Sequence, residues 1–235
     1  MATGKTSELE RRMDALARLA GGVAHDINNM LGAIEGYATL AQRGLQPSSQ
    51  LHSDMEEIRK AVGRATSLTR RLILFSSRQP ALKVKVELPG LLEELSARLT
   101  AGLRPEIRIG ASFKPGLPEV QGDPQRLELL FSNLLLNAAD AMPGGGTIGL
   151  AAEEAGGFVK VSVSDQGPGM PPEVAEHLFE PFFTTKPKGK GTGLGLAEAY
   201  GIARQHGGRI EVSTAEGRGS EFRVLLPAPG HAGSS

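Results

Sequence analysis

The chain has 235 residues, enough for one or two domains, with 26 basic and 26 acidic side chains and a formal net charge of zero. Because the charge is balanced and only 4% of the residues are aromatic, a nucleic-acid-binding surface is not indicated. The lack of cysteine excludes disulfides, thiolate metal sites and cysteine catalysis, and it fits a cytoplasmic protein. We expect no membrane segment or signal peptide, because no apolar stretch approaches roughly 18 residues and the N-terminus is polar.

The first third of the chain carries the pattern of two long helices, over residues 8–78. Apolar residues alternate spacings of four and three, which is a heptad pattern. Gly44 and Pro47 should end the first helix, and Ser48 or Ser49 should cap the second. A lone hairpin covers little of its apolar surface, so we expect two copies to form a four-helix bundle. The predicted seam consists of Leu9, Met13, Leu16, Ala20, Val23, Ile27, Met30, Ile34, Tyr37 and Ala41, followed by Leu51, Met55, Ile58, Val62, Ala65, Thr69 and Leu72.

Beyond Pro80 short strands alternate with helices, which predicts an α/β domain. A segment rich in Gly, Pro and Lys, residues 166–191, is predicted to be a long mobile loop, and such loops in compact domains are usually functional. The strands are predicted at 82–88, 106–109, 146–152, 158–164, 209–213 and 221–226, and the helices at 91–99, 124–142 and 194–206. The predicted domains are 1–79 and 80–228, with 229–235 as a disordered tail or linker.

One face of the first predicted helix combines three polar side chains. At roughly 100° per residue, His25 points nearly opposite the apolar seam, Asn29 lies one turn on, and Asp26 flanks both. An imidazole becomes a good nucleophile when a carboxylate fixes its tautomer and takes up charge, and an amide can orient a water. The alternative is a solvated surface histidine. Gly21 and Gly22, each costing roughly 1 kcal/mol in a helix, indicate either close packing or a bend near this face.

A second group of candidate residues lies in the α/β half. Asn133 and Asn137 share one helix face, where two amide oxygens could ligate Mg²⁺ or its waters, although capping or an ordinary polar helix surface is the alternative. Asp165 ends an alternating strand and could accept a hydrogen bond from an exocyclic amine such as that of adenine. Gly167 and Gly169 would allow backbone to approach a ligand, although any tight turn could use the same motif.

The end of the predicted loop carries an apolar anchor, 179–183, and a glycine-rich helix start. Backbone N–H groups and the positive dipole end at a helix N-terminus favour phosphate. The segment is neither a Walker A motif nor a dinucleotide fingerprint, since it lacks the G-K-[ST] ending and a preceding βαβ unit. Lys186, Lys188 and Lys190 could meet phosphate charge or could be a solvated loop run. The glycine-rich residues are Gly191, Thr192, Gly193, Leu194 and Gly195.

Taken together, these motifs resemble sensor histidine kinases from about residue 10 to residue 226. The first helix resembles the H-box helix, and is most similar to soluble or hybrid kinases with HD-F-N-N, with Ile27 where those kinases often have Phe. The later motifs resemble the N, G1, F and G2 boxes of the Bergerat (GHKL) ATPase fold, with residues 217–222 as the last glycine box. The resemblance implies a helical hairpin that forms a dimeric four-helix bundle, followed by an α/β sandwich of the Bergerat type.

The resemblance also implies an activity: autophosphorylation from ATP and transfer to a response-regulator aspartate. It implies that His25 is phosphorylated, that Asp26 is the base and that Asn29 assists dephosphorylation. Asn133 and Asn137 would hold Mg²⁺ and the phosphates. The implied contacts to ATP are completed by Asp165, Gly167, Gly169, Lys186, Gly191, Thr192, Gly193, Leu194 and Gly195.

Two positions depart from the family pattern. Related kinases often carry Lys or Arg just after the second Asn, where this chain has Ala139 and Asp140, so phosphate charge must be met elsewhere. Hydrolytic relatives often carry a catalytic Glu where this chain has Asn133, which favours phosphoryl transfer over hydrolysis. Two alternative functions stay open: a phosphatase-biased member of the family, and a nucleotide-binding scaffold without kinase activity.

Overall fold

The computed structural model describes residues 2–76, 83–187 and 191–229, without the side chains of residues 2–21, 25, 67–68 and 70–76. The side chain of His25, the lysines Lys188 and Lys190, and residues 230–235 of the predicted tail therefore lie outside the description. The chain forms two compact units, Met1–Ser77 and Arg78–Ser235. In the described part, no helix is both long enough and apolar enough to span a membrane.

The first unit is a hairpin of α1 (Ala2–Arg43) and α2 (Gln50–Ser76). The predicted end of α1 is confirmed, since the helix stops one residue before Gly44. Of the two serines predicted to cap α2, Ser49 does so. Its Oγ accepts a hydrogen bond from the His52 N–H at 3.2 Å and donates one to the Gln46 carbonyl at 2.7 Å.

The two helices meet along a narrow line of small residues, with Ala24, Ala38 and Val62 buried. The buried Thr69 hydroxyl of α2 hydrogen-bonds Asn28 of α1. The predicted seam of α1 lies on a different face and is exposed, at 54% for Val23, 64% for Met30, 46% for Ile34 and 74% for Tyr37. A single hairpin therefore leaves these four seam side chains of α1 largely in water, whereas Val62 and Thr69 of the α2 seam are buried.

The second unit is an α/β sandwich, as predicted. Its elements are β1 (Val84–Val86), α3 (Leu88–Thr100), β2 (Ile107–Phe113), β3 (Val120–Gly122), α4 (Pro124–Ala141), β4 (Gly146–Ala155), β5 (Phe158–Asp165), α5 (Pro172–His177), α6 (Gly195–Gln205), β6 (Arg209–Thr214) and β7 (Ser220–Pro227). The main sheet has the order β2-β4-β5-β7-β6, parallel between β2 and β4 and antiparallel elsewhere, and β1 pairs with β3 in a separate antiparallel ladder.

The core lies between one face of the sheet and the helices. Every second residue of β5 is buried, which places Val159, Val161 and Val163 against the helices. From α4, the fully buried side chains are Leu127, Leu130, Phe131, Leu134 and Leu135. The polar residues of α4 are thereby left along its edges, where the candidate site lies.

The structure departs from the sequence predictions in four segments. Leu88, predicted to end a strand, begins α3, because Pro89 favours the first turn of a helix. β2 continues to Phe113, past the predicted end at 109. The strand β3 and the helix α5 were not predicted. Since α5 lies inside the segment 166–191, that segment is not one continuous loop.

Candidate functional site

The polar face of α1 contains two consecutive asparagines with different surroundings. Asn28 is half-buried, and its Oδ1 accepts the hydrogen bond from Thr69. Asn29 and Asp26 are exposed. Asn28 therefore lies in the contact between α1 and α2, whereas Asp26 and Asn29 lie on the outer surface of α1.

The helix α4 presents the predicted amide pair along one edge. Its start is fixed by Asp123, whose Oδ1 accepts hydrogen bonds from the N–H groups of Gln125 at 3.0 Å and Arg126 at 3.3 Å. Asn133 and Asn137 are half-buried and flank the apolar face. Both amides therefore lie at the border between core and solvent, where a side chain can be held firmly and still reach a ligand.

The carboxylate of Asp165 lies at the end of β5 and is 8% exposed. Burial raises its pKa, and the N–H groups of Gly167 and Ser220, which donate to the carboxylate, act in the opposite direction. The bond from Gly167 N to Oδ1 measures 2.9 Å. Asp165 is therefore a desolvated hydrogen-bond acceptor whose position is fixed by the backbone around it.

The first glycine segment packs too closely for side chains. A Cβ on Gly167 would lie 2.7 Å from the carbonyl oxygen of Ala141, the last residue of α4. Gly169 has a φ of +68°, and a Cβ there would overlap the carbonyl of Ala215. The fold itself requires both glycines, and Gly167 brings the segment after Asp165 against the end of α4.

The second glycine segment, residues 191–195, packs against the apolar anchor and against α4. The Phe179 ring packs on Tyr200 with centroids 5.0 Å apart, and the Phe182 N–H donates to the Gly193 carbonyl at 2.9 Å. A Cβ on Gly195, the first residue of α6, would lie 3.5 Å from Asn133 Oδ1. The predicted apolar anchor thus closes the loop, and Gly195 faces the first asparagine of the amide pair.

Lys186 lies against the same edge of α4. Its Nζ is 2.6 Å from Oδ2 of Asp140, one of the two positions where this chain departs from the family pattern. Side-chain exposure is 35% for Lys186 and 58% for Asp140. The chain therefore has an acid on α4 that is paired with a cation from the loop.

Two residues that connect α6 to α4 were not predicted from the sequence. Glu198 is 2% exposed, and it accepts a hydrogen bond from Asn133 Nδ2 at 2.8 Å. His206 is 9% exposed, and its Nε2 accepts a hydrogen bond from the Asp123 N–H at 3.0 Å. The signal for Glu198 was an acid within the otherwise apolar run 196–200. No comparable signal marks His206.

The side chains along α4 could supply only a few ligands to a cation, so they suit a cation that is bound mainly by phosphates and waters. Within the described ranges, no cluster of three or more His, Cys, Asp or Glu side chains could hold a metal ion. Amide oxygens are hard ligands, and Mg²⁺ is commonly held by one or two protein groups together with phosphates and waters. The residues present therefore fit Mg²⁺ bound together with a nucleotide.

Comparisons with known proteins identify the family. Residues 15–81 match the model of the His Kinase A (phospho-acceptor) domain, and residues 122–230 match that of the Histidine kinase-, DNA gyrase B-, and HSP90-like ATPase. The solved mycobacterial sensor histidine kinase MprB is 30% identical with a TM-score of 0.56, over 62% of this chain and 97% of that one. The chain belongs to the sensor histidine kinase family. The ATPase model implies that the second unit of this histidine kinase core binds ATP.

Two further relatives cover both units of this core. The sensor kinase CckA of Brucella abortus (strain 2308) is 38% identical over 232 residues, which are 92% of this chain and 25% of CckA. Full-length ShkA, solved in complex with AMPPNP, has a TM-score of 0.70 and 26% identity over 92% of this chain and 47% of ShkA. The chain thus spans a quarter to a half of these longer relatives.

Proposed function

We propose that this chain transfers the γ-phosphoryl group of ATP to His25 and then to an aspartate of a response-regulator receiver. One observation carries the nucleotide site: a single edge of α4 contacts both glycine segments. Gly195 faces Asn133, and Gly167 packs on Ala141. These two points of α4 are about 12 Å apart along the helix. That length separates a base-binding end from a phosphate-binding end.

At the base end, Asp165 accepts a hydrogen bond from the exocyclic amine of adenine. Its low exposure excludes competing water, and Gly167 and Gly169 keep the surrounding backbone free of side chains. At the phosphate end, the glycine-rich start of α6 offers backbone N–H groups and a positive helix end to the phosphates. We assign Gly191, Thr192, Gly193, Leu194, Gly195 and Lys186 to this end.

Asn133 and Asn137 would hold the cation against the phosphates. Mg²⁺, when bound with ATP, neutralises charge that develops on the transferred phosphoryl group. The pairing of Lys186 with Asp140 keeps the lysine beside the same edge of α4. The chain's own contribution is mainly to position the nucleotide and to supply fixed dipoles, as in other phosphoryl transfers.

At the acceptor, an imidazole nitrogen of His25 attacks the γ-phosphorus. The new N–P bond forms as the bond from that phosphorus to the β,γ-bridging oxygen breaks, and ADP leaves. The exposed Asp26 fixes the imidazole tautomer and takes up the proton that the ring releases. Asn29 has no charge to act as a base, and it orients a water against the acyl phosphate of the receiver.

The exposed seam of α1 supports a homodimer. Apolar side chains exposed at roughly half their surface or more stabilise a fold best when a second copy covers them. We assign residues 1–79 to dimerisation and phosphotransfer, 80–228 to ATP binding and 229–235 to a tail or linker.

Incubation of the full chain with γ-labelled ATP and Mg²⁺ tests this proposal. The wild type should acquire acid-labile, base-stable label, and His25→Ala should acquire none while it still binds ATP. His52→Ala, at the start of the other hairpin helix, is the matched control and should label normally. Label retained in His25→Ala would overturn the assignment of His25. A wild type that binds ATP and never labels would instead support the nucleotide-binding scaffold.

A further inference from the structure

Glu198 is a buried acid in an apolar stretch of α6. It is 2% exposed, and its neighbours Ala197, Ala199 and Tyr200 are also buried. Burying a carboxylate is costly unless hydrogen bonds compensate it, and an apolar side chain would suit this contact between helices at lower cost. The acid therefore has a role that an apolar residue could not fill.

The hydrogen bond from Asn133 Nδ2 to Glu198 Oε2, at 2.8 Å, indicates that role. An ionised carboxylate only accepts hydrogen bonds, whereas an amide has one donating and one accepting end of nearly the same shape. Glu198 therefore holds the NH₂ end of Asn133 toward α6. The other end, Oδ1, then faces Gly195 and the glycine-rich segment.

The orientation of this amide decides whether Asn133 can ligate a cation. Only Oδ1 can serve as a ligand, and a flipped amide would present two N–H donors in its place. Groups that hydrogen-bond a metal ligand orient it and also increase its basicity. A carboxylate that accepts from the NH₂ of Asn133 does both, since it draws the amide proton toward itself and leaves more negative charge on Oδ1.

We propose that Glu198 is a positioning residue that orients the Asn133 amide so that Oδ1 faces the cation bound with ATP. This inference rests on the proposed nucleotide site. It differs from a role for Glu198 as a base for ATP hydrolysis, in which the carboxylate would take a proton from water instead of holding the Asn133 amide.

The decisive measurement is the effect of Mg²⁺ on nucleotide affinity. Binding of AMPPNP to the full chain is measured by calorimetry with saturating Mg²⁺ and again with EDTA, for the wild type and for Glu198→Gln. The substitution keeps the size of the side chain and removes its obligate acceptor, so that the Asn133 amide can flip. In the wild type, Mg²⁺ should increase the affinity for AMPPNP. In Glu198→Gln we expect this increase to be about 10-fold to 100-fold smaller, the usual effect of losing a partner of a metal ligand. Affinity in EDTA should stay within about twofold.

Two further variants separate orientation from packing. Asn133→Asp alone places two carboxylates in contact and should lose the Mg²⁺ effect. In the double variant Asn133→Asp with Glu198→Gln, the new glutamine amide can donate to one oxygen of the new aspartate, whose other oxygen then faces the cation. The effect of Mg²⁺ on AMPPNP affinity should therefore return. Gln205→Ala removes another hydrogen bond between α4 and α6, the one with Arg126, and should leave the Mg²⁺ effect unchanged.

The outcomes distinguish this inference from the proposed function. If the wild type bound AMPPNP with the same affinity in Mg²⁺ and in EDTA, both the proposed nucleotide site and the role of Glu198 would be overturned. A wild type with the Mg²⁺ effect, together with a Glu198→Gln variant that keeps it, would overturn only the role of Glu198. Equal loss of affinity with Mg²⁺ and with EDTA would reduce Glu198 to a packing residue.

Discussion

The helical hairpin and the α/β unit place their functional residues in opposite ways. In the hairpin, Asp26 and Asn29 lie within five consecutive residues that include His25, on an outer face of one helix. In the α/β unit, the candidate site brings together α4, the end of β5 and the start of α6, and its bond between Asn133 and Glu198 joins residues 65 positions apart.

The two units also differ in how completely they bury apolar side chains. Phe131 and Val161 in the α/β unit are fully buried, whereas Met30 and Tyr37 of the hairpin are exposed at 64% and 74%. The α/β unit therefore completes its own core, whereas the described hairpin leaves these apolar side chains exposed, which is why we propose that a second copy covers them. We expect a substitution in the hairpin to change either dimerisation or phosphoryl transfer, but not both. A substitution in the α/β unit should also change the positions of the residues that it contacts.

The largest effect should come from the exposed seam. Met30→Glu with Ile34→Glu should abolish dimerisation, since full burial of such a side chain contributes roughly 1.5–3 kcal/mol and a symmetric dimer loses four of them. That sum, about 6 kcal/mol at its lower bound, corresponds to roughly four orders of magnitude in Kd. Sedimentation measured over a range of concentrations reports the change, and ATP binding should persist.

The matched control adds the same charge to another face of α1. Gly32→Glu with Gly36→Glu introduces two acids at exposed positions where an added Cβ meets nothing within 4 Å. This variant should remain dimeric. If it dissociates as readily as the seam variant, negative charge and not loss of apolar contact explains both results, and the seam is not the interface.

The next largest effect should separate the two polar groups of the hairpin face. General-base assistance is typically worth about 10²–10⁴-fold, so Asp26→Asn should slow labelling of His25 by a factor in that range. It should leave dephosphorylation of a purified phosphorylated receiver largely intact. Asn29→Ala should do the reverse. Equal loss of both activities in both variants would mean that these residues only support the helix surface or the docking of the receiver.

Asn28 provides an internal control for this pair. It has the same side chain as Asn29 but hydrogen-bonds Thr69 of the other helix. Asn28→Ala should therefore lower the melting temperature of the hairpin by removing a half-buried hydrogen bond. If Asn28→Ala affected receiver dephosphorylation more than Asn29→Ala, the roles of the two asparagines would be exchanged.

Local signals allowed the hairpin and several strands to be predicted. Gly44 and Ser49 mark helix ends through their own backbone and side-chain chemistry, and the alternation in β5 follows from one buried face. The helical phase of Asn28 would have distinguished it from Asn29. The missed features depend on distant partners. The strand β3 is three residues long and is defined by its pairing with β1. The role of Glu198 can be inferred only from its hydrogen bond with Asn133.

A smaller effect should come from the ion pair on α4. Exposed ion pairs typically contribute 0.2–1 kcal/mol, so changes here should stay within about fivefold. Asp140→Asn should tighten ATP binding, because it frees Lys186 for phosphate and removes a negative charge nearby, whereas Lys186→Gln should weaken binding. Both differences should shrink with added salt. Glu153→Gln, which breaks the Lys160–Glu153 pair on the sheet, should leave ATP affinity unchanged. Weaker binding in Asp140→Asn would contradict this role for Lys186.

The smallest effect concerns stability and pH at the other end of the contact between α4 and α6. His206 donates from Nδ1 to the Ile202 carbonyl at 2.7 Å, so Nε2 must be unprotonated to accept from the Asp123 N–H. Burial lowers the pKa of this imidazole below its ordinary value of 6.5, and the hydrogen bond to Ile202 and the charge of Asp123 oppose that shift. Between the folded-state pKa and pH 6.5, the unfolded chain therefore binds a proton at His206 that the folded chain does not.

The contribution of His206 should be complete above about pH 6.5 and should be lost as the pH falls from there through its folded-state pKa. The melting temperature should accordingly drop more steeply between pH 7 and pH 5 in the wild type than in His206→Gln, whose amide oxygen can still accept from Asp123 but does not titrate. Calorimetry at several pH values compares the two slopes. Equal slopes in the wild type and His206→Gln would mean that His206 binds protons equally in both states, and that its hydrogen bond to the start of α4 is not what resists acid.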